Sequence, residues 1–591
     1  MDTDEKDWVR RSFYITVRDG TRLAAYLFHP RAAEGAAAEP RPVLWTHNRY
    51  HDASTPLDLL RAWCDHLPGL KGAFDAIEKS IEEAKISLDQ MPWLEALAAH
   101  GYTVAIVDVR GSGASFGWQR GPLDAEEALD AHDVTEWFAA QPWCSGKVGM
   151  FGRSYMGVNQ LLAAATEPPH LRAIFPEMAL FDLYAFIRGG GIFRADFAHH
   201  WTRDVMRRDL VDRAFAVDGD GDGGLLTAAR AEHGRSRDME AMFAALPFRD
   251  SRDDATGEQP YVERNPAARL ADIGRSGVAV YHLAGWYDPF VRDALLWYTN
   301  LPNPQRLIIG PWAHTGTAGL DMAEEHARWY DYWLMDVDTG VMDDARVVYY
   351  TYGAPAGEKW RSTRTWPPPE ARPTALYLVG GPSGTVRSVN DGSLRSDAPA
   401  VDGEDRYRID LSTTSGRATR WTNAYGGPFF YDERTAYDEK GLTYTTEALV
   451  EDLEVTGHPI VHLWVSSDGP DFDCFAYLEL VSASGEASYL TEGALRASHR
   501  RLAEPPFAAL GLPYHPSRAE DIAELPDAPV ELVFDLLPLS RVFPRGSRIR
   551  LTLTCADHDN AFTPEPAPEQ AICLHRGQDR PSRLVLPVVA R

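Results

Sequence analysis

The chain has 591 residues, of which 44% are hydrophobic and 25% are charged, a composition typical of a globular protein with a large core. Its formal net charge of -27 repels nucleic acid and anionic lipid, so neither is expected as a partner. Five scattered cysteines without a C-x-x-C pair argue against a disulfide scaffold or a zinc site. No signal-peptide pattern and no membrane-length apolar stretch stands in the sequence, which predicts a cytoplasmic protein.

The first third of the chain has the pattern of an α/β core. Residues 13–17 and 22–29 alternate apolar and polar positions around Asp19-Gly20, which predicts a β-hairpin. A short strand is predicted at residues 42–46, and buried strands are predicted at residues 102–108 and 147–152. A helix is predicted between the two buried strands, at residues 124–140. Because a strand, a helix and a strand in this order form a βαβ unit, the sheet is predicted to be parallel.

Two long segments interrupt this strand pattern. Residues 51–100 favour helix and exceed a typical connection, so we interpret them as an insertion near the strand ends. Residues 178–275 contain helical stretches without a clear buried strand, which predicts a helical cap. Strand patterns return at residues 278–283 and 306–309. The predicted core therefore has two parts, residues 1–177 and 276–365.

The composition changes at residues 366–369, where the sequence Trp-Pro-Pro-Pro is typical of a linker. Beyond it, short segments of alternating polarity are separated by turn signals, so residues 366–591 are predicted to form a β-sandwich domain. The clearest strand patterns are at residues 375–378, 459–465, 475–481, 548–554 and 583–588.

Ser154 directly follows a predicted buried strand and precedes a helix-compatible segment. A serine can attack an ester when a base takes its proton, and a sharp turn from strand to helix is where α/β-hydrolases place such a nucleophile. The usual G-x-S-x-G pattern puts its second glycine two residues after the serine, but that position is Met156 and the glycine is Gly157. An ordinary turn is the alternative interpretation.

An acid and a base follow Ser154 in the order that this fold requires. Asp288 comes just after the predicted strand 278–283, and His314 comes just after the strand that ends near residue 309. Asp293 and Asp321 are weaker candidates for the acid because they lie in or beside predicted helices. For the oxyanion, the backbone N–H of Tyr155 and the hydroxyl of Tyr50 are candidates, with a packing role as the alternative for Tyr50.

These segments resemble the motifs of the cocaine esterase-like (CocE/NonD) hydrolases, which are related to X-Pro dipeptidyl-peptidases and α-amino acid ester hydrolases. The matching motifs are G-x-S-Y-x-G at residues 152–157, G-W-Y-D at 285–288, G-P-W-x-H at 310–314 and D-x-R-G-x-G at 108–113. One departure is Arg49 before Tyr50, where the family has proline. The resemblance implies an α/β fold: an α/β-hydrolase core with a helical cap and a C-terminal jelly-roll β-sandwich.

The resemblance also implies roles for these residues. Ser154 would be the nucleophile, His314 the general base and acid, and Asp288 the residue that orients His314. Tyr50 and the Tyr155 amide would form the oxyanion hole, and neither a cofactor nor a metal is implied. Amino-ester members of the group have acidic residues just past the catalytic aspartate, whereas this chain has Pro289, Phe290 and Val291, which favours a neutral acyl group.

We therefore predict a serine hydrolase that cleaves small-molecule carboxylic esters, with amides as a second substrate class. The alternatives are an X-Pro dipeptidyl-peptidase and a non-catalytic binding protein on a hydrolase fold, and a homo-oligomer stays open. Residues 218–223 resemble the start of a calcium loop, but Ala229 stands where an EF-hand needs glutamate. An acidic, flexible loop is the favoured interpretation, with a different calcium site as the alternative.

Overall fold

The computed structural model describes residues 8–30, 39–50, 92–210 and 214–590, and of residues 206–210 the backbone only. The predicted insertion at residues 51–100 lies mostly outside the described residues, apart from a helix at its end. Among the described residues, no helix has both the length and the apolar composition needed to cross a bilayer. The described cysteines, Cys144, Cys474, Cys555 and Cys573, are free thiols.

In the described residues, ten strands form the first sheet: β1 (Trp8–Thr16), β2 (Arg22–Pro30), β3 (Arg41–Asn48), β4 (Thr103–Asp108), β5 (Cys144–Arg153), β6 (Leu171–Glu177), β7 (Ala279–Tyr287), β8 (Gln305–Ala313), β9 (Val347–Tyr350) and β10 (Trp360–Thr363). Their spatial order is β1-β2-β4-β3-β5-β6-β7-β8-β9-β10. All neighbouring pairs from β4 to β9 are parallel, and β1 and β2 form an antiparallel hairpin. The predicted hairpin and parallel sheet are thus confirmed, and the carboxyl ends of the parallel strands meet at one edge.

Helices connect the strands of this sheet. Those described are α1 (Pro92–His100), α2 (Ala125–Ala139), α3 (Tyr155–Ala165), α4 (Leu183–Ile187), α5 (Ala195–Leu210), α6 (Gly224–His233), α7 (Met239–Ala245), α8 (Pro260–Glu263), α9 (Leu270–Ser276), α10 (Val291–Asn300) and α11 (Met322–Leu334). Helices α4 to α9 all lie between β6 and β7, where the sequence predicts a helical cap. Asp124 caps the start of α2, because its side chain accepts a hydrogen bond from the N–H of Glu126 in the first turn.

The C-terminal part of the chain is rich in β-strands and builds its own core. Its strands are β11 (Ala371–Val379), β12 (Asn390–Arg395), β13 (Gly403–Arg408), β14 (Leu442–Thr445), β15 (Leu453–Gly457), β16 (Ile460–Ser467), β17 (Asp473–Val481), β18 (Ala487–Arg496), β19 (Val530–Asp535), β20 (Leu539–Phe543), β21 (Arg548–Thr554), β22 (Ala571–Arg576) and β23 (Arg583–Val589). Two short helices, α12 (Arg420–Asn423) and α13 (Thr435–Asp438), interrupt them. Side chains from every one of these strands face one shared hydrophobic cluster, so the strands enclose it as a sandwich does.

Three strands of the first sheet, β6, β9 and β10, are not among the predicted ones. Strand β6 contains Arg172 and Pro176, which weaken a strand pattern, yet it pairs in parallel with β5 and β7 in the middle of the sheet. The conformation of this segment is therefore determined by its pairing with β5 and β7 rather than by the strand preference of its own residues. The domain boundaries after residues 177, 275 and 365 stay predictions.

Candidate active site

Ser154 lies on a sharp turn between strand β5 and helix α3. Its backbone angles are φ 60° and ψ -123°, a conformation that is costly for a residue other than glycine. The N–H of Ser154 donates to the carbonyl of Glu177 at 2.9 Å, which ties the turn to the end of β6. The strand, the strained turn and the helix together have the geometry of a nucleophile elbow.

Two glycines make this turn possible. Gly152 has φ 141°, and a Cβ atom there would lie 2.6 Å from Cβ of Met156. A Cβ atom on Gly157 would lie 2.7 Å from the carbonyl oxygen of Glu177 and 3.2 Å from Cβ of Ala179. Helix α3 and the end of β6 are therefore too close at Gly157 for a side chain, whereas Met156 occupies the position of the second glycine in the usual motif.

Asp288 and His314 contact each other at the ends of the neighbouring strands β7 and β8. Nδ1 of His314 lies 2.5 Å from Oδ2 of Asp288, and the two residues are 5% and 0% exposed, respectively. The other carboxylate oxygen of Asp288 accepts a hydrogen bond from the N–H of Phe290 at 2.7 Å. Because Nδ1 faces the carboxylate, Nε2 is the imidazole atom that can exchange a proton with a nucleophile.

Trp201, from helix α5, brings the two predicted oxyanion-hole residues together. Its indole N–H donates to the hydroxyl oxygen of Tyr50 at 3.2 Å. Its ring also stacks on the ring of Tyr155, with centroids 6.2 Å apart. Since α3 begins at Tyr155, the amide of this residue is among the first-turn N–H groups that have no acceptor within the helix.

The side chain of Tyr155 ends on a buried carboxyl group. Its hydroxyl donates to Oε2 of Glu127 at 2.8 Å and accepts a hydrogen bond from the N–H of Leu123 at 2.9 Å. Burial raises the pKa of Glu127 to about 8, although the hydrogen bond from Tyr155 and the positive charge of Arg49 oppose that shift. Tyr155, the first residue of α3, is therefore fixed at two points: its ring packs against Trp201, and its hydroxyl is bonded to Glu127.

Successive ring contacts lead from His314 through Phe290, Phe186 and Phe197 to Trp201, whose indole N–H donates to the hydroxyl of Tyr50. We call these four rings, together with Trp421 and Tyr425, the aromatic wall. Phe290 packs edge-on against His314 at 5.6 Å between centroids, and it also contacts Phe186 at 4.7 Å. Phe197 lies 4.6 Å from Phe186 and 6.0 Å from Trp201.

The two remaining rings of the wall come from the C-terminal domain. Trp421 lies 6.4 Å from Phe186, and Tyr425 lies 6.4 Å from Phe197. The core, the helices between β6 and β7 and the C-terminal domain therefore all contribute rings to one aromatic cluster beside His314 and Trp201.

The weaker acid candidates have other partners. Asp293 accepts hydrogen bonds from the N–H groups of Phe181 and Asp182, and burial raises its pKa to about 6. Asp321 caps α11 by accepting from the N–H of Glu324 at 3.0 Å. Both carboxyl groups therefore hold backbone in place, and Asp288 is the one that contacts His314.

The acidic loop at residues 218–223 caps a helix. Asp220 accepts hydrogen bonds at 3.0 Å from the N–H groups of Leu225 and Leu226, in the first turn of α6. Asp218 accepts from the N–H of Ser12 at 2.8 Å. Within the part of the chain that the structure describes, no group of three or more His, Cys, Asp or Glu residues is arranged to hold a metal ion.

Sequence reasoning did not identify Trp201, Glu127 or the aromatic wall as parts of the site. Trp201 is 151 residues away from Tyr50, and no local pattern predicts such a contact. Glu127 has the position of an ordinary first-turn acidic residue of a helix. The content of 17 tryptophans was the one available signal for an aromatic pocket, and it names no particular residue.

Comparison with protein families gives two matches. Residues 19–316 match the X-Pro dipeptidyl-peptidase (S15 family), and this range includes Tyr50, Ser154, Asp288 and His314. Residues 339–585 match the X-Pro dipeptidyl-peptidase C-terminal non-catalytic domain. The second match begins before β9, so it includes the last two strands of the first sheet as well as most of the second sheet.

Relatives and solved structures agree with this assignment. A protein named as a serine esterase from Mycobacterium bovis is 33% identical over 98% of this chain and 95% of its own length. The cocaine esterase of Rhodococcus sp. is 27% identical over 99% of both chains. The structure of a CocE/NonD family hydrolase from Staphylococcus aureus has a TM-score of 0.73 at 19% identity, covering 98% of this chain and 94% of that chain.

These findings confirm the resemblance to cocaine esterase-like hydrolases and the fold class, an α/β-hydrolase with a C-terminal β-domain. They also exclude the alternative of a non-catalytic binding protein, because relatives over the full length are named as enzymes. The chain is a serine hydrolase, and it belongs to the S15 X-Pro dipeptidyl-peptidase family.

Proposed function

We propose that this chain hydrolyses carboxylic esters through an acyl-enzyme on Ser154. His314 acts as general base and acid, Asp288 orients it, and the Tyr50 hydroxyl and the Tyr155 amide bind the oxyanion. The observation that carries the proposal is the contact between His314 Nδ1 and Asp288 Oδ2 at the edge of the sheet where the elbow of Ser154 also lies.

In the first half-reaction, Oγ of Ser154 attacks the ester carbonyl carbon while Nε2 of His314 takes its proton. The tetrahedral intermediate collapses, and the same proton passes to the oxygen of the leaving alcohol. In the second half-reaction, His314 takes a proton from water, the hydroxide attacks the acyl-enzyme, and the acid leaves as Ser154 regains a proton. Throughout, the carboxylate of Asp288 stabilises the imidazolium and keeps its ring in place.

The hydrogen bond from Trp201 supports the role of Tyr50. In this hydrogen bond the indole N–H is the donor and the phenol oxygen the acceptor, so the bond does not use the phenol proton and the O–H group retains the character of a donor. Such a donor stabilises the negative oxygen of the tetrahedral intermediate far more than it stabilises the neutral ester. The amide of Tyr155 supplies the second donor at the start of α3, where the helix dipole also favours negative charge.

The aromatic wall supports an ester with an uncharged, apolar acyl group as the substrate. Phe290, two residues after Asp288, packs its ring against His314, and it stands in the sequence segment where amino-ester members of the group have acidic residues. The names of the relatives, serine esterase and cocaine esterase, support esters as the substrate class.

Dipeptidyl-peptidase activity is the second candidate, and the family match is the observation that favours it. That reaction also needs a group to bind the free amino terminus of a peptide. Because Asp293 binds the backbone at residues 181 and 182, it does not supply that group in this conformation. We therefore expect faster turnover of neutral acyl esters than of Xaa-Pro-p-nitroanilides.

A fluorophosphonate probe with mass mapping tests the nucleophile. The wild-type chain and a Ser484→Ala control, in an exposed turn of the C-terminal domain, should be labelled at Ser154. The Ser154→Ala variant should not be labelled. No labelling of the wild type, or labelling that persists in Ser154→Ala, would overturn the proposal. The oligomeric state and the cytoplasmic location stay predictions.

A further inference from the structure

The loop that follows His314 is bound on one side by the C-terminal domain. The backbone N–H of Thr315 donates to Oδ1 of Asn423 at 3.1 Å, and Nδ2 of Asn423 donates to the hydroxyl oxygen of Thr315 at 3.0 Å. The second proton on Nδ2 is donated to the carbonyl of Gly427 at 2.8 Å. Because a backbone N–H requires an acceptor and a carbonyl requires a donor, these partners fix the orientation of the amide.

Asn423 is itself held firmly. It is 2% exposed and lies at the end of helix α12, where its N–H donates to the carbonyl of Thr419 at 3.0 Å. Thr419 and Thr422 form a capping box at the start of that helix, and Thr419 also donates to Asn560 at 2.9 Å. The side-chain amide of Asn423 is therefore fixed by its own domain, and it restrains the loop that follows His314.

The contact between Asn423 and Thr315 acts on the residue that directly follows the proposed general base, His314. Its backbone is directly bonded to that of His314, so a fixed Thr315 N–H restricts the peptide plane between the two residues. Asp288 fixes Nδ1 of the same imidazole from the side of the core. The backbone of His314 is thus restrained from one domain and its ring from the other.

We propose that Asn423, in the domain whose family match is described as non-catalytic, is a positioning residue for the general base His314. The inference rests on the function proposed above. Through Thr315, Asn423 keeps Nε2 of His314 directed at Ser154, and a small displacement of that atom lowers the rate of proton transfer more than it lowers substrate binding.

The test compares Asn423→Ala with a matched contact between the same two domains. Asn300 of α10 donates to the carbonyl of Ala508 at 3.0 Å and accepts from its N–H at 2.8 Å, away from the His314 loop. With a neutral p-nitrophenyl ester, Asn423→Ala should lower kcat about 10- to 100-fold and leave KM within about twofold. Asn300→Ala should keep kcat within about twofold of the wild type.

Two further variants keep the proposal open to refutation if Asn423→Ala does not fold. Asn423→Asp retains the acceptor for the Thr315 N–H, so its kcat should be at least about fivefold higher than that of Asn423→Ala. Thr315→Ala leaves Asn423 unchanged but removes the hydroxyl group to which its Nδ2 donates. This variant should lower kcat about 3- to 10-fold at constant KM. The proposal is overturned if Asn423→Ala or Thr315→Ala loses no more kcat than Asn300→Ala, or if Asn423→Asp recovers none of the kcat that Asn423→Ala loses.

Labelling separates this inference from the proposed function. If Ser154 is not the nucleophile, the fluorophosphonate probe will not label Ser154 in the wild-type chain. If only the role of Asn423 is wrong, the wild type and Asn423→Ala will be labelled on Ser154 at equal rates. The expected result is labelling of Ser154 in both, about 10- to 100-fold more slowly in Asn423→Ala.

Discussion

The hydroxyl of Tyr155 donates a hydrogen bond of 2.8 Å to the carboxyl group of Glu127, which is 1% exposed. The buried carboxyl has a pKa of about 8 in the folded chain, against 4.5 for an exposed glutamate. Between these two pH values the folded chain binds one proton more than the unfolded chain at this group. The contribution of Glu127 to the free energy of unfolding is therefore complete below about pH 4.5 and is lost as the pH rises to about 8.

Replacement of Glu127 by glutamine removes this titration and retains an acceptor for Tyr155. We expect the free energy of unfolding of the wild type to fall more steeply from pH 5 to pH 8 than that of Glu127→Gln, by on the order of a few kcal/mol. Urea unfolding at the two pH values measures the difference. Glu126→Gln, on the more exposed side of the same helix, should follow the wild type. Parallel curves for wild type and Glu127→Gln would contradict the raised pKa.

The acid of the triad can be tested by a neutral replacement. Asp288→Asn keeps the size of the side chain but loses the charge that stabilises the imidazolium, and it favours the wrong tautomer of His314. We expect kcat to fall about 10⁴-fold, which steady-state ester hydrolysis would show. Asp321→Asn is the control, since asparagine also caps a helix, and its kcat should stay at the wild-type value. A loss below tenfold for Asp288→Asn would refute the assignment.

The hydroxyl of Tyr50 can be removed without removing its ring. Tyr50→Phe should lower kcat about 10²–10³-fold, the range for losing one donor to the oxyanion. Trp201→Phe keeps an aromatic ring in the wall but deletes the N–H that donates to Tyr50, so a smaller loss is expected. Equal activity of Tyr50→Phe and the wild type would make Tyr50 a packing residue.

The late glycine of the elbow should be intolerant of a side chain. Gly157→Ala places a Cβ atom within 2.7 Å of the Glu177 carbonyl oxygen, so the end of β6 or α3 must shift. We expect a loss of about 1–3 kcal/mol in the free energy of unfolding, measured with urea. Gly234→Ala is the matched control, because its φ is -58° and its nearest contact would be an ordinary 3.5 Å. An equal effect of both changes would contradict the close approach at Gly157.

The sequence was most informative where a catalytic residue directly follows a strand. Asp288 and His314 were predicted as partners because each stands just past a buried strand, and the structure places them in contact. The same reasoning placed Ser154 on a turn between strand and helix, and the observed backbone angles agree with that context. Local pattern is sufficient here because parallel strands bring their carboxyl ends to one edge of the sheet.

Local pattern could not reveal residues that reach the site from elsewhere in the chain. Asn423 is 108 residues away from Thr315, and Trp201 is 151 residues away from Tyr50. The burial of Glu127 depends on Tyr155 and on the packing of α2, neither of which alters the helical pattern around it. Strand β6 was missed for a related reason, since pairing on both sides outweighs the effect of Pro176.

The contact between Asn423 and Thr315 also bears on the order in which the chain becomes active during synthesis. Helix α12 belongs to a domain whose first strand, β11, pairs with its last strand, β23. A ribosome must therefore complete almost the whole chain before this domain closes around α12. Until then, the loop after His314 has no folded α12 to bind. A growing chain would therefore have the Ser154 turn and the Asp288–His314 pair in place before it reaches full hydrolytic activity.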